Sequence, residues 1–225
     1  MFACSVEAGV FGIADEIWGL RERDQDAERR CATLAARIDA LKMGLQRRDA
    51  SGALLAGAPT DGLLGSLAGM VSVEAAWQSA IAAALGAATE AVVVADLATA
   101  LEAFERLKDE DLGRAGMLVS GSDETGTGQW PELPSGASWG IDAIHADPRI
   151  FPGLRRLLDK VALVDDLQTA QRLVAQLPQV QAVTADGDLV SSWFASGGSS
   201  AQPSVIEVQA SIDEAQALLD QARHE

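Results

Sequence analysis

The sequence predicts an α/β domain of two related halves, flanked by two helices that pair as an antiparallel coiled coil within one chain. Apolar residues recur in alternating steps of three and four near both ends of the chain, which is the spacing of a coiled-coil helix. Between those ends, short β-branched runs alternate with helical patterns, which is typical of β-α-β units. One stretch of this middle region recurs 70 residues further on, which indicates a duplicated unit.

Length and composition indicate a globular protein that is not a general binder of nucleic acid. The chain has 225 residues, of which 48% are hydrophobic, so it is long and apolar enough to bury a sizeable core. The 33 acidic residues outnumber the 17 basic ones and give a formal charge of −16. A charge of this sign and size repels phosphate backbones.

The two cysteines and the amino-terminal residues bear on the cellular setting. Cys4 and Cys31 form no C-x-x-C pair and no disulfide framework, so we expect a reduced, cytoplasmic setting. Residues 1–20 contain acidic residues, no basic ones and no 18-residue apolar run. We therefore expect neither a signal peptide nor a membrane span.

Heptad seams occupy both ends of the chain. Antiparallel pairing, counted outward from the junctions with the middle region, places Leu34 near Ala215 or Ile212. The alternative interpretation is that both helices pack on the surface of the middle domain. The first seam, in an arm predicted at residues 1–51, consists of Ile17, Leu20, Asp24, Ala27, Cys31, Leu34, Ile38, Leu41 and Leu45. The second, in an arm predicted at residues 203–225, consists of Val205, Val208, Ile212, Ala215, Leu219 and Ala222.

The middle region, residues 52–202, reads as one α/β unit present twice. The octapeptide that starts at Val93 is similar to the one that starts at Leu163. This repeat divides the region into halves at 62–121 and 139–199, joined by a Gly- and Ser-rich linker at 122–138. The small-residue stretch 51–65 is predicted to end the first helix as a loop. Strands are predicted at 68–73, 91–94, 116–119, 141–145, 161–164, 180–184 and 188–194, and helices at 75–85, 97–108, 152–158 and 166–176.

Known catalytic and metal-binding patterns are missing from the sequence. It has no G-x-x-x-x-G-K-[ST] phosphate loop, no G-x-S-x-G nucleophile elbow and only two histidines, without metal-ligand spacing. Asp96, Asp165 and Asp166 stand where predicted strands meet predicted helices. We interpret them as helix N-caps rather than as catalytic carboxylates.

Four short motifs, taken together in their order, resemble the hinge domain of structural maintenance of chromosomes (SMC) proteins. Residues 62–67 read G-L-L-G-S-L, and 80–96 contain A-I-A-A-A-L-G followed by A-V-V-V-A-D. Residues 108–115 read K-D-E-D-L-G-R-A, and 183–190 read V-T-A-D-G-D-L-V before Gly197-Gly198-Ser199. The resemblance covers about residues 62–199, with heptad arms on both sides in the order of the family.

The resemblance implies a homodimerisation hinge that joins two coiled-coil arms of an SMC chromosome-organising ATPase, in chromosome condensation and segregation. It implies no cofactor and no catalysis in this chain, since ATP belongs to a head domain outside it. It also implies kleisin-type subunits at those heads and a cytoplasmic, nucleoid-associated protein. Two alternatives come from the residues: an acidic cytosolic α/β enzyme of unknown substrate with a helical hairpin, and a coiled-coil adaptor with an unrelated binding domain.

Two groups of residues are candidates for function. Unpaired strand edges and glycines that allow close backbone approach predict the dimer interface. The glycine pair has an alternative role, which is only to break the last strand before the C-terminal helix. The interface residues are Gly116, Met117, Leu118, Val119, Leu189, Val190, Phe194, Gly197 and Gly198. A weak DNA contact is predicted at Lys42, Arg47 and Arg48, where basic residues could equally end a solvated helix.

Overall fold

A computed structural model of the chain describes residues 21, 24–43, 50–56, 62–121, 129–198 and 204–224. These residues fall into two compact units. The first consists of the described parts of 1–43 and 211–225, and the second of the described parts of 44–210. We call the second unit the body.

Helices and strands alternate through the body, as the sequence predicts. The helices are, in chain order, α1 (residues 24–43), α2 (Ala50–Ala56), α3 (Leu67–Met70), α4 (Gln78–Leu85), α5 (Leu97–Asp109), α6 (Phe151–Leu157), α7 (Leu167–Gln176) and α8 (Val205–His224). The strands are β1 (Leu63–Ser66), β2 (Val71–Val73), β3 (Val92–Val94), β4 (Met117–Val119), β5 (Ala137–Trp139), β6 (Ile144–Ala146), β7 (Val161–Val164), β8 (Gln181–Thr184), β9 (Leu189–Val190) and β10 (Ala195–Ser196).

Each half of the body is built around a buried β-α-β unit. In the first half, β3, α5 and β4 give parallel strands, and β1 pairs antiparallel on the other side of β3 in a sheet of order β1-β3-β4. In the second half, β7, α7 and β8 repeat this arrangement inside a sheet of order β10-β9-β8-β7-β5. The predicted duplication is therefore present in the fold. A strand from each half, β2 and β6, forms a third, antiparallel sheet.

The duplicated unit uses the same helix cap in both halves. The carboxylates of Asp96 and Asp166 accept hydrogen bonds from the main-chain N–H groups of Thr99 and Thr169, at 2.8 and 2.7 Å. Each bond satisfies an amide that the first turn of a helix leaves unpaired. These bonds lower the pKa of Asp96 and Asp166 below the ordinary aspartate value. The N-cap interpretation is confirmed for Asp96 and Asp166 and is wrong for Asp165, because α7 begins one residue later and is capped by Asp166.

One apolar core lies between the two sheets and receives side chains from both halves. Val93 and Leu118 enter from the first half, and Leu163 and Val183 from the second. A close-packed core of this kind fixes the position of one half against the other. Smaller cores lie under α7, around Leu54, and between β3 and α5 at Val92, Val94 and Ala100.

Three predicted segments of the body differ in the structure. The predicted loop at 51–65 contains α2 and β1, because Leu54 is buried against α5 and a bulge between Leu63 and Gly65 lets β1 pair with β3. The strand predicted at 68–73 begins as the helical turn α3, which Ser66 caps. The strand predicted at 141–145 begins as a 3-10 turn. Tertiary packing overrides local propensity in such short segments.

The predicted linker at 122–138 is only partly a linker. Residues 122–128 lie outside the described residues, but Trp130 packs against the core of the body and against Trp139, with ring centroids 4.6 Å apart. The indole N–H of Trp130 donates to Asp159 at 2.8 Å. Residues 129–138 therefore belong to the second half.

Burial on the two terminal helices follows the predicted seams where the structure describes them, while Ile17, Leu20 and Leu45 lie outside the described residues. On α1, Asp24 is exposed while Ala27, Cys31, Leu34, Ile38 and Leu41 are the shielded seam positions. On α8, Ile212, Ala215 and Leu219 are buried. The segments that carry these residues form one compact unit, which agrees with helices packed along their seams. The antiparallel direction of the pairing stays a prediction.

We expect Asp166→Ala to lower the melting temperature at neutral pH by roughly 2–4 °C, because an N-cap bond is lost. The folded pKa of Asp166 lies below its unfolded value. The stabilisation is therefore present above the ordinary aspartate range and disappears as the pH falls through the folded pKa. Thermal unfolding followed by circular dichroism between neutral and acid pH measures it. Asp166→Asn keeps the accepting oxygen, and Asp165→Ala removes the same charge without the cap, so both should resemble the parent.

We expect cysteines at positions 34 and 215 to form a disulfide within one chain if the terminal helices run antiparallel in the predicted register. The experiment uses Leu34→Cys with Ala215→Cys in a Cys4→Ser, Cys31→Ser background, and reads the monomer band on a non-reducing gel. The control pair, positions 34 and 222, is displaced by about 10 Å along the helix and should not react. Crosslinks formed only between chains would contradict this register.

Candidate dimerisation interface

Each of the two main sheets has two edge strands, β1 and β4 in the first sheet and β10 and β5 in the second. The edges β4 and β10 differ in character. In the second half, β8 occupies the place that β4 has in the first half, because both follow the helix of the repeated β-α-β unit. β8 is covered by the antiparallel strand β9, to which β10 pairs in turn. β4 has no counterpart of β9 in the described residues. The first half therefore presents an edge that the second half fills with a strand.

The β4 edge presents the main chain of Met117 and Val119. The N–H of Val92 donates to Gly116 O at 2.9 Å, and the N–H of Ser120 donates to Val94 O at 2.8 Å. In a parallel ladder this pattern turns alternate residues of β4 towards β3, so Met117 and Val119 direct their N–H and C=O groups outward. The predicted residues Gly116 and Leu118 have other roles: Gly116 bonds to β3, and the side chain of Leu118 lies in the core.

The β10 edge is shorter and lies beyond the predicted strand 188–194. Leu189 and Val190 form β9, which is paired on both sides by β8 and β10. These two predicted interface residues are therefore not at an exposed edge, because the chain turns at 191–194 and returns as one more strand. Ser191 N–H donates to Phe194 O at 2.8 Å. By antiparallel alternation, the main chain of Ala195 then points outward.

An exposed aromatic pair stands beside the β10 edge. Trp193 is 77% exposed and Phe194 is 50% exposed, and their ring centroids are 5.7 Å apart. Their turn is held by the Ser191 side chain and by a bond of 3.1 Å from the Ser192 hydroxyl to Pro178 O. Large aromatics displayed by a fixed turn indicate a contact surface. Phe194 was among the predicted interface residues. Trp193 was not, although its place next to Phe194 gave a signal.

The glycine pair that follows β10, Gly197 and Gly198, is held in place by contacts with another residue of the same chain, Asp188. Gly198 has φ +122°, a conformation that favours glycine. Its N–H donates to Asp188 Oδ1 at 2.9 Å. A Cβ on Gly197 would collide with that carboxylate oxygen. Both glycines are exposed, and their conformation has an intramolecular cause.

The first turn of α8 is fastened to the body by Glu207. Its carboxylate accepts the Ser204 main-chain N–H at 2.6 Å and the Ser79 hydroxyl at 2.8 Å. The Ser204 hydroxyl accepts the Glu207 N–H at 3.2 Å, which completes a capping box. Burial by itself would raise the pKa of Glu207, but the hydrogen bonds from Ser204 and Ser79 outweigh it and lower the pKa. Ile206, 4% exposed, joins the core beside them.

The predicted DNA contact is only partly within the described residues. Lys42 is exposed near the end of α1, while Arg47 and Arg48 lie outside the described residues. The contact stays a prediction.

The described residues offer neither a metal site nor a membrane span. No group of three or more His, Cys, Asp or Glu residues could hold a metal ion, and none of the described helices is long and apolar enough to cross a membrane.

The sequence model for the SMC proteins flexible hinge domain matches residues 60–174, which is half of the chain. The chain belongs to the SMC hinge family. The chromosome partition protein Smc of Mycolicibacterium paratuberculosis is 40% identical over 215 residues, which covers 92% of this chain and 17% of that protein. The hinge chain thus spans about a sixth of the length of this relative. The family match supports the hinge interpretation and gives no support to the enzyme alternative.

Solved hinge structures share the fold. A hinge from Geobacillus stearothermophilus, described as an asymmetric dimer, gives a TM-score of 0.71 at 22% identity and covers 89% of this chain and 86% of its own. The hinge domain of Pyrococcus furiosus SMC gives a TM-score of 0.56 at 25% identity and covers 76% of this chain and 93% of its own. The α/β hinge class predicted from the sequence is confirmed.

We expect Glu207→Gln to destabilise the hinge by about 1 kcal/mol at neutral pH, because charge-assisted bonds to Ser204 and Ser79 are weakened. The folded pKa of Glu207 is lowered, so its stabilisation is lost as the pH falls through that pKa. Denaturant unfolding at several pH values measures the difference, which should shrink in acid. Glu214→Gln, an exposed position on the same helix, is the matched control. An equal effect of both variants at every pH would contradict the role of Glu207.

Proposed function

We propose that this hinge joins two copies of the chain into a symmetric homodimer, in which the β4 edge of each copy pairs with the β10 edge of the other. The observation that carries the proposal is the difference between the halves: in the part of the chain that the structure describes, β8 is covered by a strand, and the equivalent strand β4 is not. Two unlike edges in one chain meet twice about a two-fold axis, so the assembly closes. Met117, Val119 and Ala195 supply the outward main-chain groups that such an edge contact requires.

The aromatic pair contributes to the same contact. Trp193 and Phe194 lie in the turn directly before Ala195, so any strand that pairs with β10 approaches them. Burying two large exposed aromatic rings supplies the apolar part of an interface whose main-chain part is only a few hydrogen bonds.

The wider role follows from the relatives. We propose that the hinge connects the coiled-coil arms of an SMC chromosome-organising ATPase in chromosome condensation and segregation. In that protein, ATP binds only at the heads, kleisin-type subunits contact those heads, and the hinge needs no cofactor of its own. The protein works in the cytoplasm on the nucleoid, and its hinge touches DNA weakly. The name of the relatives, chromosome partition protein Smc, supports this role.

We expect Ala195→Pro to raise the dimer dissociation constant by about a hundredfold. Proline removes the outward N–H and places its ring at the edge. The dimer has two equivalent contacts, and a loss of affinity of about tenfold at each contact multiplies to about a hundredfold. Light scattering across a dilution series measures the mass, and circular dichroism checks that the monomer is folded. An Ala195→Pro variant that dimerises like the parent would remove the β10 edge from the interface.

A charge-substitution pair tests the aromatic surface in the same assay. Phe194→Glu should weaken the dimer strongly, because a charge would be buried. Leu167→Glu changes a residue of similar exposure, 55% against 50%, at the start of α7, and should leave the mass unchanged. A parent chain that stays monomeric at every concentration overturns the proposed function.

A further inference from the structure

The β10 strand is too short to hold its own position. It has two residues, and in the described residues it pairs only with β9, which also has two. A two-residue edge strand with one neighbour frays unless something fixes its ends. The structure provides a fastening at each end of this strand.

The first fastening is the turn before β10. Ser191 bonds to Phe194 three times: N–H to O at 2.8 Å, hydroxyl to O at 2.8 Å, and Phe194 N–H to the Ser191 hydroxyl at 3.0 Å. These bonds fix where β10 begins. They do not reach its far end.

The second fastening is Asp188, in the turn between β8 and β9. Its Oδ1 accepts the N–H of Gly198, two residues after β10 ends, at 2.9 Å. The carboxylate also fills the place where a Cβ of Gly197 would stand. Gly197 and Gly198 therefore both contact the Asp188 carboxylate.

Asp188 is itself held rigidly. Its N–H donates to the Thr184 hydroxyl at 3.0 Å, its O accepts the Thr184 N–H at 2.9 Å, and the Thr184 hydroxyl lies 3.4 Å from Asp188 Oδ2. Thr184 is 1% exposed. The turn also rests on α4, since a Cβ on Gly187 would lie 3.1 Å from Ser79 O. The position of the acceptor is therefore fixed by contacts that do not involve Gly198.

We propose that Asp188 is the positioning residue of the dimer edge: it holds β10 in register so that Ala195 presents its main chain to the partner copy. Asp188 does not touch the partner in this arrangement, and it acts through Gly198. This inference rests on the proposed homodimer. It also explains the glycine at position 197, because a Cβ there would collide with the Asp188 carboxylate and prevent the contact with Gly198.

The test compares three variants of the full chain. Asp188→Ala removes the acceptor and should raise the dimer dissociation constant by at least about tenfold, since a hydrogen bond to a charged group is lost at each of two contacts. Asp188→Asn keeps an accepting oxygen and should stay within about threefold of the parent. Asp186→Ala removes the same charge from the same turn, at an exposed position, and should behave like the parent.

Two measurements separate the outcomes. Sedimentation across a dilution series gives the dissociation constant, and amide hydrogen exchange of Gly198 reports the bond itself. Asp188→Ala should speed that exchange by about tenfold or more while Asp186→Ala does not. A parent that never dimerises overturns the proposed function. In that case, Gly198 exchange tests only whether Asp188 holds the end of β10. A parent that dimerises, with Asp188→Ala no weaker than Asp186→Ala, overturns this inference. If Asp188→Ala does not fold, Asp188→Asn provides the test. Slow Gly198 exchange together with a preserved dimer supports the positioning role of Asp188, and the loss of both contradicts it.

Discussion

A single apolar core shared by both halves holds the rest of the hinge in place. Val93 and Leu118 meet Leu163 and Val183 in it, and each of these side chains is at most 8% exposed. Because protein interiors pack densely, neither sheet can shift without opening a cavity. The β2–β6 pairing adds a main-chain link between the halves. The distance between the edge strands β4 and β10 is therefore set by the packing of the body.

Duplication followed by divergence accounts for the two unlike edges. Both halves carry the strand–helix–strand unit with the same aspartate cap. Among the described residues, only the second half extends it by the β9–β10 hairpin, which covers β8 and creates a new edge with exposed aromatic residues. In the proposed dimer, this difference between the described halves makes the chain complementary to a second copy of itself, through chain connectivity and not through charge.

The acidic character of the chain is used locally at several points. Asp96 and Asp166 cap helices, Asp188 seats the end of β10, and Glu207 fastens the first turn of α8. Each of these carboxylates accepts a main-chain N–H that would otherwise lack a partner. Asp147 likewise accepts a main-chain N–H, from Arg149, and the side chain and main chain of Arg149 together lower its pKa to about 2. Protonation at low pH weakens the hydrogen bonds that are accepted by those carboxylates whose pKa is lowered.

Periodicity and repetition determined much from the sequence alone: the seams of the terminal helices, the buried strands β3 and β7, the helices after them and the caps at Asp96 and Asp166. These features are local, since each is fixed by residues a few positions apart. The short strands β1, β5 and β10 were decided by tertiary structure, because a strand of two to four residues exists only where a neighbour offers its main chain. The candidate interface, too, was determined partly by the sequence and partly by the tertiary structure. The glycine pair and Phe194 could be identified from the sequence, but β10 covers the edge predicted at Leu189. The hydrogen bond from Gly198 to Asp188 depends on a turn that brings residues ten positions apart into contact.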